Sequence, residues 1–209
     1  MEGFPGGIEE QDKGPVDERF KVLAAVDFPD LGRKQGEWYP AVPPLCRPGA
    51  GLGPSDYFGR TLIANLPKDI KVGVVNVAVA GAKIEVFDES EIEAYAASAP
   101  QWMKGTLKSY GGSPYARLVG MAKLAQKDGV IKGILLHQGE SNTNDKEWPA
   151  KVSRIYSSLL KDLDLNARDV PLLAGEVVNA DQNGLCAGMN AIIAGLPATM
   201  PARSTRPSS

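Results

Sequence analysis

Histidine is nearly absent from this 209-residue sequence, which contains one, and cysteine is scarcely more common, with two. Cys46 and Cys186 lie far apart, in neither a C-x-x-C pair nor a Cys/His cluster of ligand spacing, so the pattern of a zinc site is missing. No zinc site is expected. Two buried thiols or one disulfide both fit, which leaves the redox compartment open. No apolar run approaches the ~18 residues that a bilayer span needs. Met1-Glu2-Gly3-Phe4-Pro5 lacks the basic and apolar regions of a secretory signal. As written, the chain reads as cytoplasmic; a secreted or periplasmic protein would need a signal ahead of Met1. Lys and Arg number 23 against 25 Asp and Glu, a net charge of −2, with no basic cluster. The electrostatic footprint of a nucleic-acid or anionic-lipid partner is therefore missing as well.

What remains is the composition of an ordinary folded protein, 43% apolar and 23% charged, long enough for one domain with a proper core. We expect a single domain over residues 1–200 and a disordered tail over 201–209. Up to about Gly53 the chain is rich in Gly, Pro and charge and reads as a long surface excursion with one or two short strands, around Phe20–Val26 and Trp38–Val42. Ser55–Leu66 reads as a helix with Ser55 or Asp56 as N-cap. Lys71–Gly81 is almost continuously apolar and β-branched, as befits a strand covered on both faces. Val130–His137 and Val170–Val178 are similar. Between them, Ser113-Pro114 opens one helix that ends at Gly129. Pro149 opens another, with Val152, Ile155, Tyr156, Leu159, Leu160 and Leu163 as its apolar stripe. Asn183–Leu196 reads as a last helix. Strands alternating with helices imply right-handed crossovers, hence an α/β three-layer sandwich with a mainly parallel sheet.

Ligands in such folds bind beyond the carboxyl ends of the strands. The first strand ends in Ala80-Gly81-Ala82-Lys83-Ile84, where a glycine can present its N–H. The second ends in the densest polar cluster of the chain, His137-Gln138-Gly139-Glu140-Ser141-Asn142-Thr143-Asn144-Asp145. The third ends in Ala174-Gly175-Glu176. If the second and third strands are neighbours, their ~4.8 Å spacing puts Glu140 and Glu176 on one rim, where a carboxylate pair can divide acid and base roles as in glycosidases. Trp38, Trp102 and Trp148 could offer stacking faces to sugar rings, but core packing is the default reading.

Leu136-His137-Gln138-Gly139-Glu140-Ser141-Asn142 resembles the H-Q-G-E-S-(D/N) signature of family 6 carbohydrate esterases, the sialate O-acetylesterase-like or acetylxylan-esterase branch of the SGNH hydrolases. Met1-Glu2-Gly3-Phe4, Asp56-Tyr57-Phe58-Gly59-Arg60, the turn at Gly81 and Ala174-Gly175-Glu176 resemble the same group. The resemblance implies an SGNH or flavodoxin-like sheet and ester hydrolysis of acetylated sugars, xylan among them, without metal or cofactor. By carry-over the Gly81 N–H and the Gln138 amide are expected as oxyanion donors. Glu140 and Glu176, with Gln138, are the expected catalytic groups, and His137, Ser141 and Asn142 the expected contacts to the sugar.

The family's nucleophile, in G-Q-S-N-M, and its base, in D-x-x-H, have no counterpart here. Met1-Glu2-Gly3 resembles the residues just after the nucleophile, and the tail at Arg203-Ser204-Thr205-Arg206-Pro207 precedes any D-x-x-H. His137 is not that base, and Gly139-Glu140-Ser141-Asn142-Thr143 lacks the second glycine of a nucleophile elbow. The expectation is a fold missing or replacing its first and last strands, with a second copy of the chain as one way to fill the gap. Three functions stay open: an O-acetylesterase of acetylated sugars, a glycoside hydrolase using Glu140 and Glu176, and a non-catalytic sugar-binding remnant.

Overall fold

The structure, a computed structural model, describes residues 2–3 and 6–201. The tail expected to be disordered thus lies, but for Pro201, outside the described residues. In chain order the elements are α1 (Glu10–Lys13), β1 (Phe20–Leu23), β2 (Trp38–Pro40), α2 (Pro54–Asn65), β3 (Val72–Val75), α3 (Ile92–Ser98), α4 (Gln101–Ser109), α5 (Pro114–Ala125), β4 (Ile134–Leu136), α6 (Trp148–Asp162), β5 (Leu172–Ala174) and α7 (Met189–Ala194). The fold is α/β, as its alternating pattern predicts. It resolves into two compact units, one of Met1–Ala80 with Ala99–Gly129, the other of Gly81–Ser98 with Val130–Ser209.

In the first unit the sheet runs β2-β1-β3, with β1 antiparallel to β2 and parallel to β3. Here the expected surface excursion is corrected, because β1 is the central strand. Phe20 and Val22 are fully buried against Ala41, Leu45 and Ile63 of α2, and Leu23, Ala25 and Val26 pack with Tyr110 and Met121 of α5. Covered on both faces, a short apolar run suffices for a core strand. Gly59 lets α2 approach closely, since a Cβ there would sit 2.1 Å from the Phe20 ring. Asp56 does not cap α2. Pro54 occupies the first turn after Gly53, and Asp56 is fully buried and bonded to Arg60. The strand expected over Lys71–Gly81 stops at Val75. Val77 and Val79 pack beside Tyr110 without joining the ladder, and the Tyr110 hydroxyl donates to the Ala78 carbonyl. Ser113 caps α5 as its sequence predicts, accepting from the Ala116 N–H at 3.1 Å, while the helix ends at Ala125, before Gly129.

In the second unit β4 and β5 pair in parallel, Leu136 opposite Ala174. Both are shorter than their apolar runs. The stripe of α6 is as expected: Val152, Ile155, Tyr156 and Leu159 are buried, with Leu163 just beyond the helix. That face packs on the 3-10 turn Ile84–Phe87 and on α7. The last helix begins only at Met189. Asn183 takes the left-handed conformation, φ +62, and a Cβ on Gly184 would lie 1.8 Å from the Val178 carbonyl, so residues 179–188 fold as a loop. Cys46 and Cys186 are both free thiols. No described helix is long and apolar enough to cross a membrane, and no group of three potential metal ligands occurs among the described residues.

Candidate functional site

The strand ends expected to carry the chemistry meet in the second unit. The Gly175 N–H donates to the Leu136 carbonyl at 2.8 Å, which extends the β4–β5 ladder to the start of the polar cluster. The half-buried His137 ring lies against Gly175, where a Cβ would be 3.1 Å from its Cδ2. Next comes Gly139, buried where a Cβ would be 2.9 Å from Met189 and 3.2 Å from Val177. A glycine is required there by lack of space. The chain then turns through Glu140–Asn142 into α6.

Gln138 and Asn142 brace this turn against the segment that follows Gly81. The Gln138 amide nitrogen donates to the Ala82 carbonyl at 3.2 Å and to Asn142 Oδ1 at 2.7 Å, while its oxygen accepts from the Trp148 indole N–H. Its orientation is fixed chemically, because an indole N–H only donates and a carbonyl only accepts. Both amide hydrogens are therefore consumed inside the protein. Asn142, 4% exposed, is used completely. Its Oδ1 accepts from the Ile84 N–H at 2.8 Å as well as from Gln138, and its Nδ2 donates to Glu85 and Asp145, each at 3.1 Å. Lys151 Nζ bridges the same two carboxylates, at 2.7 Å to each. Asp145 also accepts from the Glu147 N–H at the start of α6.

This ring of two carboxylates between a lysine and an amide sets its own electrostatics. Partial burial pushes the Glu85 and Asp145 carboxyls up, but the hydrogen bonds from Lys151 and Asn142 outweigh it and hold both below the usual carboxylate range. Burial lowers Lys151 in turn, and its two carboxylate partners more than offset this, raising it above its ordinary value. Beside the ring, Arg154 pairs with Asp88, whose carboxyl burial raises and whose bonds from Ser90 and Arg154 bring below the usual range.

Gly81 stands apart from this satisfied framework. It is exposed in the left-handed conformation, φ +65, and its N–H donates to no described residue. Such a conformation is ordinary for glycine and strained for most residues. The Gly81 N–H is an unengaged backbone donor close to the braced turn, as are those of Gln138, Glu140 and Glu176, which likewise donate to no described residue. Gln138, expected as a second oxyanion donor, has no free hydrogen, and Asn142, expected on the sugar, has no free polar atom. In this structure both serve the framework of the turn. His137 and Ser141 are half-buried with side chains bonded to no described residue, and Glu140 and Glu176 are exposed. The 3-10 turn at Glu140 is held through its carbonyl, which accepts from the Thr143 hydroxyl at 2.6 Å. Val177, beside Glu176, is clamped at N–H and carbonyl by the Asn190 amide, at 2.9 and 3.0 Å. Trp148 is fully buried, whereas Trp102 is 59% exposed.

Sequence reasoning missed Trp148, Glu85 and Lys151 as parts of this framework. No local pattern links Gln138 to a tryptophan ten residues on or Asn142 to a glutamate far upstream. Only the polar spacing Gln138, Asn142, Asp145, close to one residue per turn, hinted at a shared face.

The α/β fold is that of the SGNH-like esterase branch, with a braced polar turn beyond the parallel ends of β4 and β5 that holds the segment after the exposed Gly81. A family model described as "Carbohydrate esterase, sialic acid-specific acetylesterase" matches residues 30–196, most of the chain, and the chain belongs to that family. Its class is that of esterases acting on acetylated sugars. Among solved structures, the crystal structure of NanS is similar with a TM-score of 0.61 and 16% sequence identity, covering 97% of this chain and 70% of that one. That likeness shows a shared fold.

Proposed function

We propose that this chain serves O-ester hydrolysis on acetylated sugars, with the Gly81 N–H as the donor that meets the acetyl carbonyl. The observation carrying this reading is the exposed, left-handed Gly81, whose N–H donates to no described residue and which precedes the Ala82–Ile84 segment held by Gln138 and Asn142. A donor held in place before reaction stabilises a developing oxyanion without reorganisation cost. Gln138 and Asn142 hold the turn, and His137 and Ser141, with unbonded side chains, are available to the sugar. The family's description favours a sialic acid-type sugar over xylan as the acetylated partner. Neither nucleic acid nor membrane enters this reading.

The G-Q-S-N-M and D-x-x-H motifs that the resemblance associates with the nucleophile and base do not occur in these 209 residues. His137 forms no ion pair among the described residues, and Ser141 has no bonded base. Removal of a triad serine or histidine costs about six orders of magnitude in turnover. Acetate release by the 209-residue chain itself is accordingly expected to be slow, and preference for the acetyl group is the property to measure. Calorimetry on the chain with an O-acetylated sialic acid, its deacetylated form and an acetylated xylo-oligosaccharide tests the reading. Tighter binding of the acetylated sialic acid than of its deacetylated form is expected; equal binding, or none, would overturn it. The glycosidase alternative gains nothing from the structure, because neither Glu140 nor Glu176 is buried.

A further inference from the structure

Within the second unit, two carboxylates, one lysine and one asparagine face one another in a closed ring, with the Asp88–Arg154 pair beside it. Glu85 belongs to the segment just after Gly81, Asp145 to the polar turn and Lys151 to the second turn of α6. Lys151 Nζ and Asn142 Nδ2 each bridge Glu85 and Asp145. Side-chain exposures of 24% for Lys151, 18% for Glu85 and 21% for Asp145 make the ring half-sheltered from water. The other end of Asn142 takes the Ile84 N–H, and Ile84 is 2% exposed.

We infer that Lys151 is a positioning residue for the Gly81 donor, acting through Glu85, Asp145 and Asn142. This rests on the O-acetylesterase reading and adds a residue to it. Two carboxylates brought together repel unless a positive group lies between them, and Asn142 supplies only a partial charge. Lys151 neutralises the pair, so Asn142 can keep its amide nitrogen on the carboxylates and its oxygen on Ile84 and Gln138. Without the ammonium, the cheapest relief is for Glu85 to swing away. The Ile84 anchor is then freed, and with it the segment that fixes where the Gly81 N–H points. Fully satisfied polar networks specify one geometry, and a half-satisfied one does not. Lys151 touches no reacting atom in this account.

The test compares the wild-type chain with Lys151→Met, which keeps the aliphatic stem and helix propensity, and with Lys151→Arg, which restores the charge. Glu85→Gln, which removes one leg of the ring at constant shape, guards against misfolding of the methionine variant. Two amides are followed by hydrogen exchange, Ile84, bonded to Asn142, and Gly175, bonded to the Leu136 carbonyl. Binding preference for an O-acetylated sialic acid over its deacetylated form is measured alongside. Expected for Lys151→Met are Ile84 exchange accelerated about tenfold or more, unchanged Gly175 exchange and a reduced acetyl preference. Lys151→Arg should recover most of both, and Glu85→Gln should shift both in the methionine variant's direction. Unchanged Ile84 exchange, parallel acceleration at Ile84 and Gly175, or an intact acetyl preference with Ile84 released would each overturn the inference. Absence of acetyl preference in the wild type would instead sink the esterase reading, while the two exchange rates would still decide whether Lys151 anchors Ile84.

Discussion

The indole N–H of the buried Trp148 donates to the side-chain oxygen of Gln138. That bond orients the Gln138 amide nitrogen toward Ala82 and Asn142. The residue expected as an oxyanion donor is thus a strut of the turn in this structure. In Trp148→Phe the half-buried Gln138 oxygen loses its donor, at a cost of about 1 kcal/mol or more, beyond what is lost in packing volume. Chemical denaturation should show a drop of that order. A change below 0.5 kcal/mol, on the scale of ordinary surface substitutions, would mean that the bond does not matter.

Asn142→Asp keeps the shape and reverses the chemistry. A third carboxylate would face Glu85 and Asp145 where an amide N–H now donates. The expected loss at neutral pH is about 2 kcal/mol or more, the scale of a mispaired buried polar group. The deficit relative to wild type should narrow as acid protonates the added carboxyl. Denaturation curves at pH 7 and pH 4 measure this, and an equal deficit at both would contradict the charge argument.

The ring itself should be pH-sensitive at the extremes only. Glu85 and Asp145 have carboxyls below the usual range in the folded state, so their contribution is present above the unfolded carboxylate value, about 4. It is lost as pH falls through the lower folded values. Lys151 is raised, so its contribution is present below the unfolded lysine value, about 10.4, and is lost as pH rises through the higher folded one. Ile84 opening, from exchange rates corrected for intrinsic pH dependence, should therefore be flat between about pH 5 and 9, whereas a break near neutrality would contradict it.

Gly59→Ala should destabilise the first unit, because a Cβ would lie 2.1 Å from Phe20. Overpacking typically costs about 1–3 kcal/mol, which outweighs the ~1 kcal/mol gain in helix propensity. A more stable alanine variant would show that α2 and β1 are not so closely packed.

These contacts mark how far the sequence could be read. The alternation of elements, the Ser113 cap and the stripe of α6 all follow from local patterns of burial and turn chemistry, whereas the pairing of the strands before His137 and Gly175 entered only as a condition. The centrality of β1 did not, because four residues flanked by Gly, Pro and charge carry too short a periodicity to show that both faces are covered. Strand lengths were overread for the complementary reason: Val77 and Val79 are apolar because they fill the core, and ladder pairing leaves no separate trace in composition. At the site, residue types located the turn and the Gly81 segment. The roles of Gln138 and Asn142 depended on partners distant in sequence, Ala82, Ile84 and Glu85, and on one buried tryptophan.

The pair Glu140 and Glu176 makes a separate prediction. As exposed groups they are not expected to divide acid and base roles, so p-nitrophenyl glycosides should remain uncleaved by the wild-type chain. Cleavage abolished by either Glu→Gln change would instead establish the glycosidase reading.

The central claim, that Gly81 donates to the acetyl carbonyl while Gln138 only braces, is tested most directly by amide NMR of the 15N-labelled chain titrated with an O-acetylated sialic acid and its deacetylated form. The account predicts that the Gly81 amide shifts with the acetylated ligand alone and that the Gln138 side-chain NH2 pair stays in place. Movement of the Gln138 pair with Gly81 silent, or an identical response to both ligands, would contradict it.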